Sequence, residues 1–98
     1  MDESAMTVYS MLCADLGRSP STIPSELRDY MEMKIEAARQ RLIEAGITPD
    51  ASNAAQLDLW TMYAGYLYRR RDSDGEMPRS LRLALNDAKA GLPMEGGS

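Results

Sequence analysis

The chain has 98 residues, 44% apolar and 27% charged, the balance of a single globular domain rather than a disordered chain. A net charge of −4, with Asp and Glu spread along the length, excludes a sequence-wide basic footprint for nucleic acid. The absence of His removes the commonest metal ligand and general base, and the single Cys13 excludes an internal disulfide or a thiol-rich metal site.

The first predicted helix runs from about Ser4 to Leu16. Asp2 and Glu3 sit near its positive end, and Val8, Met11, Leu12 and Tyr9 recur at helical spacing. Cys13, flanked by Met11, Leu12 and Ala14, reads as a small buried hydrophobe. Gly17 ends the helix. Arg18 to Pro24 contains two prolines and no periodicity, which predicts an extended surface linker over 18–24.

The second helix opens at Ser25, expected to be its N-cap, with Glu26 and Asp29 in the first turns. Leu27, Tyr30, Met31, Ile35, Ala38, Leu42 and Ala45 form its apolar face. Gly46 closes it, with Ile47 folding back over the last turn, and Thr48-Pro49 blocks continuation. Asn53 and Gln56 then suggest a capping box for a third helix running to about Arg70. Leu57, Leu59, Trp60, Met62, Tyr63, Tyr66, Leu67 and Tyr68 cover most of that helix's circumference. It should therefore be buried on several sides, with Leu57, Trp60, Tyr63 and Leu67 as its core. A second subunit would be one source of that cover.

Residues 72–76 read as a polar turn. Pro78 suits the first turn of a fourth helix, whose apolar stripe is Leu81, Ala84, Leu85 and Ala88. Gly91 stops it and residues 91–98 read as a mobile tail. The expectation is an all-α bundle of about four helices around a central apolar helix, one domain over residues 1–90. Eight Met and five Tyr without any Phe suit half-wet contacts with partners, or a core that simply accepts Met for Leu.

No constellation for chemistry is visible, so no enzyme, cofactor or metal is expected. The Ser residues have no His base, and Gly96-Gly97 lacks the Lys and helix of a phosphate loop. Asp72, Asp74 and Glu76 fall short of a calcium loop, because Gly75 comes too early and no bidentate Glu closes the segment. Glu32 and Glu36, one turn apart, read as an ordinary solvated pair. With no apolar run of about 20 residues and no basic, apolar leader, the sequence predicts a soluble protein kept in a reducing compartment. The charge feature that remains is Arg69, Arg70 and Arg71 followed by Arg79 and Arg82, partly offset by the acidic turn. It fits a helix C-terminus and a solvated face, or a docking edge for an acidic partner that includes Met77; nucleic-acid binding fits less well.

The run from Trp60 to Tyr68 ending in Arg69-Arg70-Arg71, a short polar turn, and then Met77-Pro78-Arg79-Ser80-Leu81-Arg82-Leu83-Ala84-Leu85-Asn86 resembles the head–tail connector family of long-tailed bacteriophages. Ile35 to Ile47, ending in Ala45-Gly46-Ile47, resembles that family's long helix, and the likeness covers roughly residues 25–90. The Ser19-to-Pro24 linker has no counterpart in the pattern, which leaves the place of the first helix open. The resemblance implies a helical subunit of a ring of twelve copies. The ring would lie at the head–tail junction of a virion, between portal and tail-completion or stopper proteins, and extend a channel through which DNA passes without specific binding. An acidic chain suits such a wall. The alternative is a small helical adaptor or regulator that binds one partner protein through the apolar third helix. A helix-turn-helix reader fits poorly, because the Arg-rich fourth helix also carries Asn86-Asp87.

Overall fold

A computed structural model describes residues 2–50, 52–69 and 77–90. Four α-helices account for nearly all the regular structure, and no strand occurs among the described residues. They are α1 (Glu3–Asp15), α2 (Ser25–Glu44), α3 (Ala54–Arg69) and α4 (Arg79–Ala90).

The helix ends follow from local chemistry. Asp2 caps α1, its Oδ1 accepting from the Ala5 amide at 2.8 Å. At the other end Gly17 takes φ +73°, and the Arg18 amide reaches back to the Cys13 carbonyl at 2.8 Å. The same closure ends α2, where Gly46 has φ +86° and the Ile47 amide donates to the Leu42 carbonyl at 2.8 Å. Both are left-handed glycine caps in which the following residue folds over the last turn, and Ile47 is thereby buried.

Three local expectations need correction. The 18–24 linker is not extended throughout, since Pro20–Thr22 forms a 3-10 turn held by the Thr22 amide on the Ser19 carbonyl. Ser25 is not the N-cap of α2: Pro24, with ψ 146°, occupies that position, and Ser25 is already helical and makes no capping bond. Asn53 does cap α3, accepting from the Ala55 and Gln56 amides at 3.0 and 3.2 Å. Gln56 does not reciprocate to Asn53, however; its Oε1 accepts from the Asp50 amide at 2.7 Å. The Asp50 carboxylate folds its own loop by accepting from the Ser52 amide and hydroxyl, which hold its pKa below the usual carboxylate value. That turn brings the Asp50 amide within reach of Gln56.

The core forms where α3 crosses the rest of the bundle. Helix α3 packs against α1, α2 and α4, whereas α4 packs on α3 alone among the described elements. From α1 the buried side chains are Ala5, Val8, Tyr9, Leu12 and Cys13, and from α2 they are Met31, Ile35, Ala38 and Leu42. Trp60, Tyr63, Ala64 and Leu67 meet them, and Leu81 and Leu85 of α4 close the far side. Trp60 is 1% exposed and Leu57 is only partly buried, lying at the edge of the core rather than inside it. Gly65 faces α1, and a Cβ there would stand 3.5 Å from Leu12 Cδ1, an ordinary packing distance. The mobile-tail and polar-turn expectations fall on 91–98 and 70–76, outside the described residues.

Candidate interface on the outer side of α3 and α4

The residues proposed from the sequence for docking do not form one group. Arg69, in the last turn of α3, donates through Nη2 to Asp15 Oδ2 at 2.9 Å, tying the ends of α3 and α1 together. Both side chains are more than half exposed, so the pair adds little stability, yet the cation already has a partner within the chain. Arg70 and Arg71 lie outside the described residues. Met77 is partly buried against the core, which makes it a packing residue of this chain. Arg79 and Arg82 behave differently. Both are exposed on α4, and among the described residues neither has an ion-pair partner.

Helix α4 divides its surface by sign of charge. Leu81, Leu85 and Ala88 face α3, and each residue turns the helix by about 100°. Arg82 therefore lies about 100° from Leu81 on one flank, next to Arg79 and Lys89, while Asp87 lies about 120° away on the other. Leu83 sits on the outer side beyond Arg79, with half of its surface exposed. On the Asp87 flank a half-open groove of about 480 Å³ runs between the start of α3 and the end of α4. Its floor is Leu59, Met62, Ala84 and Ala88, and Asp58 and Asp87 stand at its exposed rim. The arrangement is suited to binding an apolar side chain flanked by cations. Helical spacing alone separates Asp87 from Arg79 and Arg82, but the groove needs Asp58, which the sequence does not connect to α4.

A second cluster that the sequence does not reveal joins three helices. Arg39 of α2 places its guanidinium 4.8 Å from the Trp60 ring centroid and grips Asp2 through two contacts, at 2.9 and 3.0 Å. It also reaches Glu36 at 2.9 Å. The Arg39 bond, then the Ala5 amide, hold the Asp2 carboxyl below the usual carboxylate range. Trp60 Nε1 donates to the Ile35 carbonyl at 2.9 Å, so the indole is fixed from both sides. With Arg39 Nε buried and unpartnered, this cluster staples α1, α2 and α3, and its role is structural.

The apolar circumference of α3 is mostly used within the bundle. Three helices of the same chain cover Leu59, Trp60, Tyr63, Ala64, Leu67 and Tyr68. The adaptor reading therefore loses much of the surface it relied on. The larger exposed apolar side chains lie elsewhere, at Met6, Met33, Ile43 and Leu83. Among the described residues no three His, Cys, Asp or Glu side chains cluster as a metal would require, and no helix is long and apolar enough to cross a membrane. Compared with known proteins, the chain matches no family model, no curated protein and no solved structure.

Proposed function

We propose that the chain is a structural subunit of a phage head-to-tail connector ring, joining the portal vertex to tail-completion proteins around the DNA channel. The observation that carries this reading is the ordered pair of motifs. An aromatic helix ends in arginines, and the Met77–Asn86 segment follows after a short polar turn. Residues 25–90, which hold the resemblance, correspond to α2, α3 and α4. Two further features are compatible with it. Among the described elements α4 packs on α3 alone and leaves an outer side bearing Arg79, Arg82 and Leu83, as a subunit that meets neighbours would need. The net charge of −4 suits a channel wall that DNA must pass without sticking.

In this role the chain does no chemistry and takes no cofactor. Its copies form a closed ring at the head–tail junction of the virion, after synthesis in the host cytoplasm. A contact that repeats by rotation must close into a ring or run on as a filament, and the portal above it supplies the template for closure. The test is co-sedimentation of the full chain with portal rings of the same phage. Saturable binding, at one copy per portal subunit, is expected. Failure of the wild-type chain to bind at any concentration overturns the assignment.

A further inference from the structure

We infer that the occupant of the α3–α4 groove is α4 of a second copy, so that copies of this chain associate head to tail through opposite flanks of one helix. The inference deepens the connector reading by naming the subunit contact, and it rests on that reading only for the closure of the ring.

The two halves of the contact are both on the chain. One flank offers Arg79 and Arg82, and the half-exposed Leu83 stands beside Arg79 on the outer side of the helix. The other offers an apolar floor of Leu59, Met62, Ala84 and Ala88 under the carboxylates of Asp58 and Asp87. Two cations face two anions, and an exposed leucine faces a half-open groove of about 480 Å³ with an apolar floor. The complementary halves lie on opposite flanks of α4, so they cannot meet within one molecule. They can meet only between molecules, and because the surfaces differ the contact is heterologous. The rim carboxylates disfavour nucleic acid as occupant, since a phosphate backbone would meet Asp58 and Asp87. Exposed ion pairs steer and set register more than they hold, so Leu83 in the groove supplies the cohesion and the charges supply the direction.

The experiment is sedimentation equilibrium of the full chain at low and high ionic strength, with folding checked by circular dichroism. Wild type self-associates with rising concentration, and 1 M salt weakens the association, because screening then acts within about 3 Å. Arg79→Glu/Arg82→Glu and Asp58→Lys/Asp87→Lys each self-associate at least tenfold more weakly. Their equimolar mixture restores open-ended association with the two variants alternating, since the arginines of one meet the aspartates of the other and the introduced glutamates meet the introduced lysines. All four substitutions in one chain restore open-ended association. Leu83→Ser weakens it several-fold with the charges intact. All five positions are exposed, so none should disturb the fold. A wild type that stays monomeric to millimolar concentration overturns the inference. So does a groove variant that associates like wild type, or a mixture of the two variants that stays monomeric. None of these measurements needs portal protein. A chain that self-associates in this pattern but ignores portal rings sinks the connector reading alone, and a monomer that binds portal rings sinks the groove contact alone.

Discussion

Replacing Trp60 with alanine tests the packing logic most severely. The indole is 1% exposed, and a buried tryptophan removes roughly 150–250 Å² from water, worth about 4–6 kcal/mol at ~25 cal/mol per Å². Alanine keeps a small part of that burial, while the vacated space adds a cavity cost, so the substitution should destabilise by about 3–5 kcal/mol. The bond from Nε1 to the Ile35 carbonyl lies within that figure and contributes about 1 kcal/mol. The Arg39 guanidinium over the ring contributes about 0.5–1 kcal/mol. A chain of 98 residues has a total stability of roughly 5–15 kcal/mol, so Trp60→Ala leaves the fold marginal or lost at room temperature. Trp60→Phe, which keeps a ring but loses the bond and the broader cation contact, should cost about half as much. The assay is urea unfolding followed by circular dichroism, since the substitution removes the only tryptophan. Met33→Ala serves as a control, because Met33 is 55% exposed and should change stability by less than about 0.5 kcal/mol. A thermal midpoint lowered by only a degree or two in Trp60→Ala would refute the reasoning, since about 1 kcal/mol already moves a domain of this size by 4–8 °C.

Cys13→Ala should preserve assembly and cost no more than about 1–2 kcal/mol in a urea titration, because Cys13 is fully buried and has no partner thiol; a folded variant with no function would give the thiol a different role. Gly65→Ala should raise stability by about 0.5–1 kcal/mol, since helix propensity favours alanine and the new Cβ meets only the flexible tip of Arg69 at 3.4 Å and Leu12 at 3.5 Å; a lower melting point would mean that α1 cannot yield at Leu12. Arg39 and the Ala5 amide hold the pKa of the Asp2 carboxyl below its unfolded value, so its contribution is present above about pH 4 and is lost as the pH falls through the folded value. Wild type and Asp2→Asn should therefore differ in unfolding midpoint at pH 7 and converge near pH 2, and a gap that widens on acidification would contradict the Arg39 pairing.

Helices were legible in the sequence because their signals are local. Gly17 and Gly46 mark left-handed caps, and the spacing of Met31, Ile35, Ala38 and Leu42 names the buried face of α2. The stripe of Leu81, Ala84, Leu85 and Ala88 does the same for α4. Ser25 misled because a serine before an apolar periodic run is the commoner cap, whereas Pro24 already holds the extended backbone that a cap requires. Gln56 misled because its competing partner, the Asp50 amide, is presented by a loop that Asp50 and Ser52 fold between themselves. Neither the Asp2–Arg39–Trp60 cluster nor the pairing of Asp58 with Asp87 could be read from spacing, since each joins residues brought together only by packing. The breadth of apolar residues on α3 was read correctly as burial. Its cover comes largely from α1, α2 and α4 of the same chain.

Electron microscopy of the full chain mixed with portal rings of its own phage tests the central claim most directly. A closed ring of added density is expected on the tail-facing side of the portal, coaxial with its channel, with one helical subunit per portal subunit. Portal particles that stay bare at saturating concentrations of the wild-type chain would contradict it.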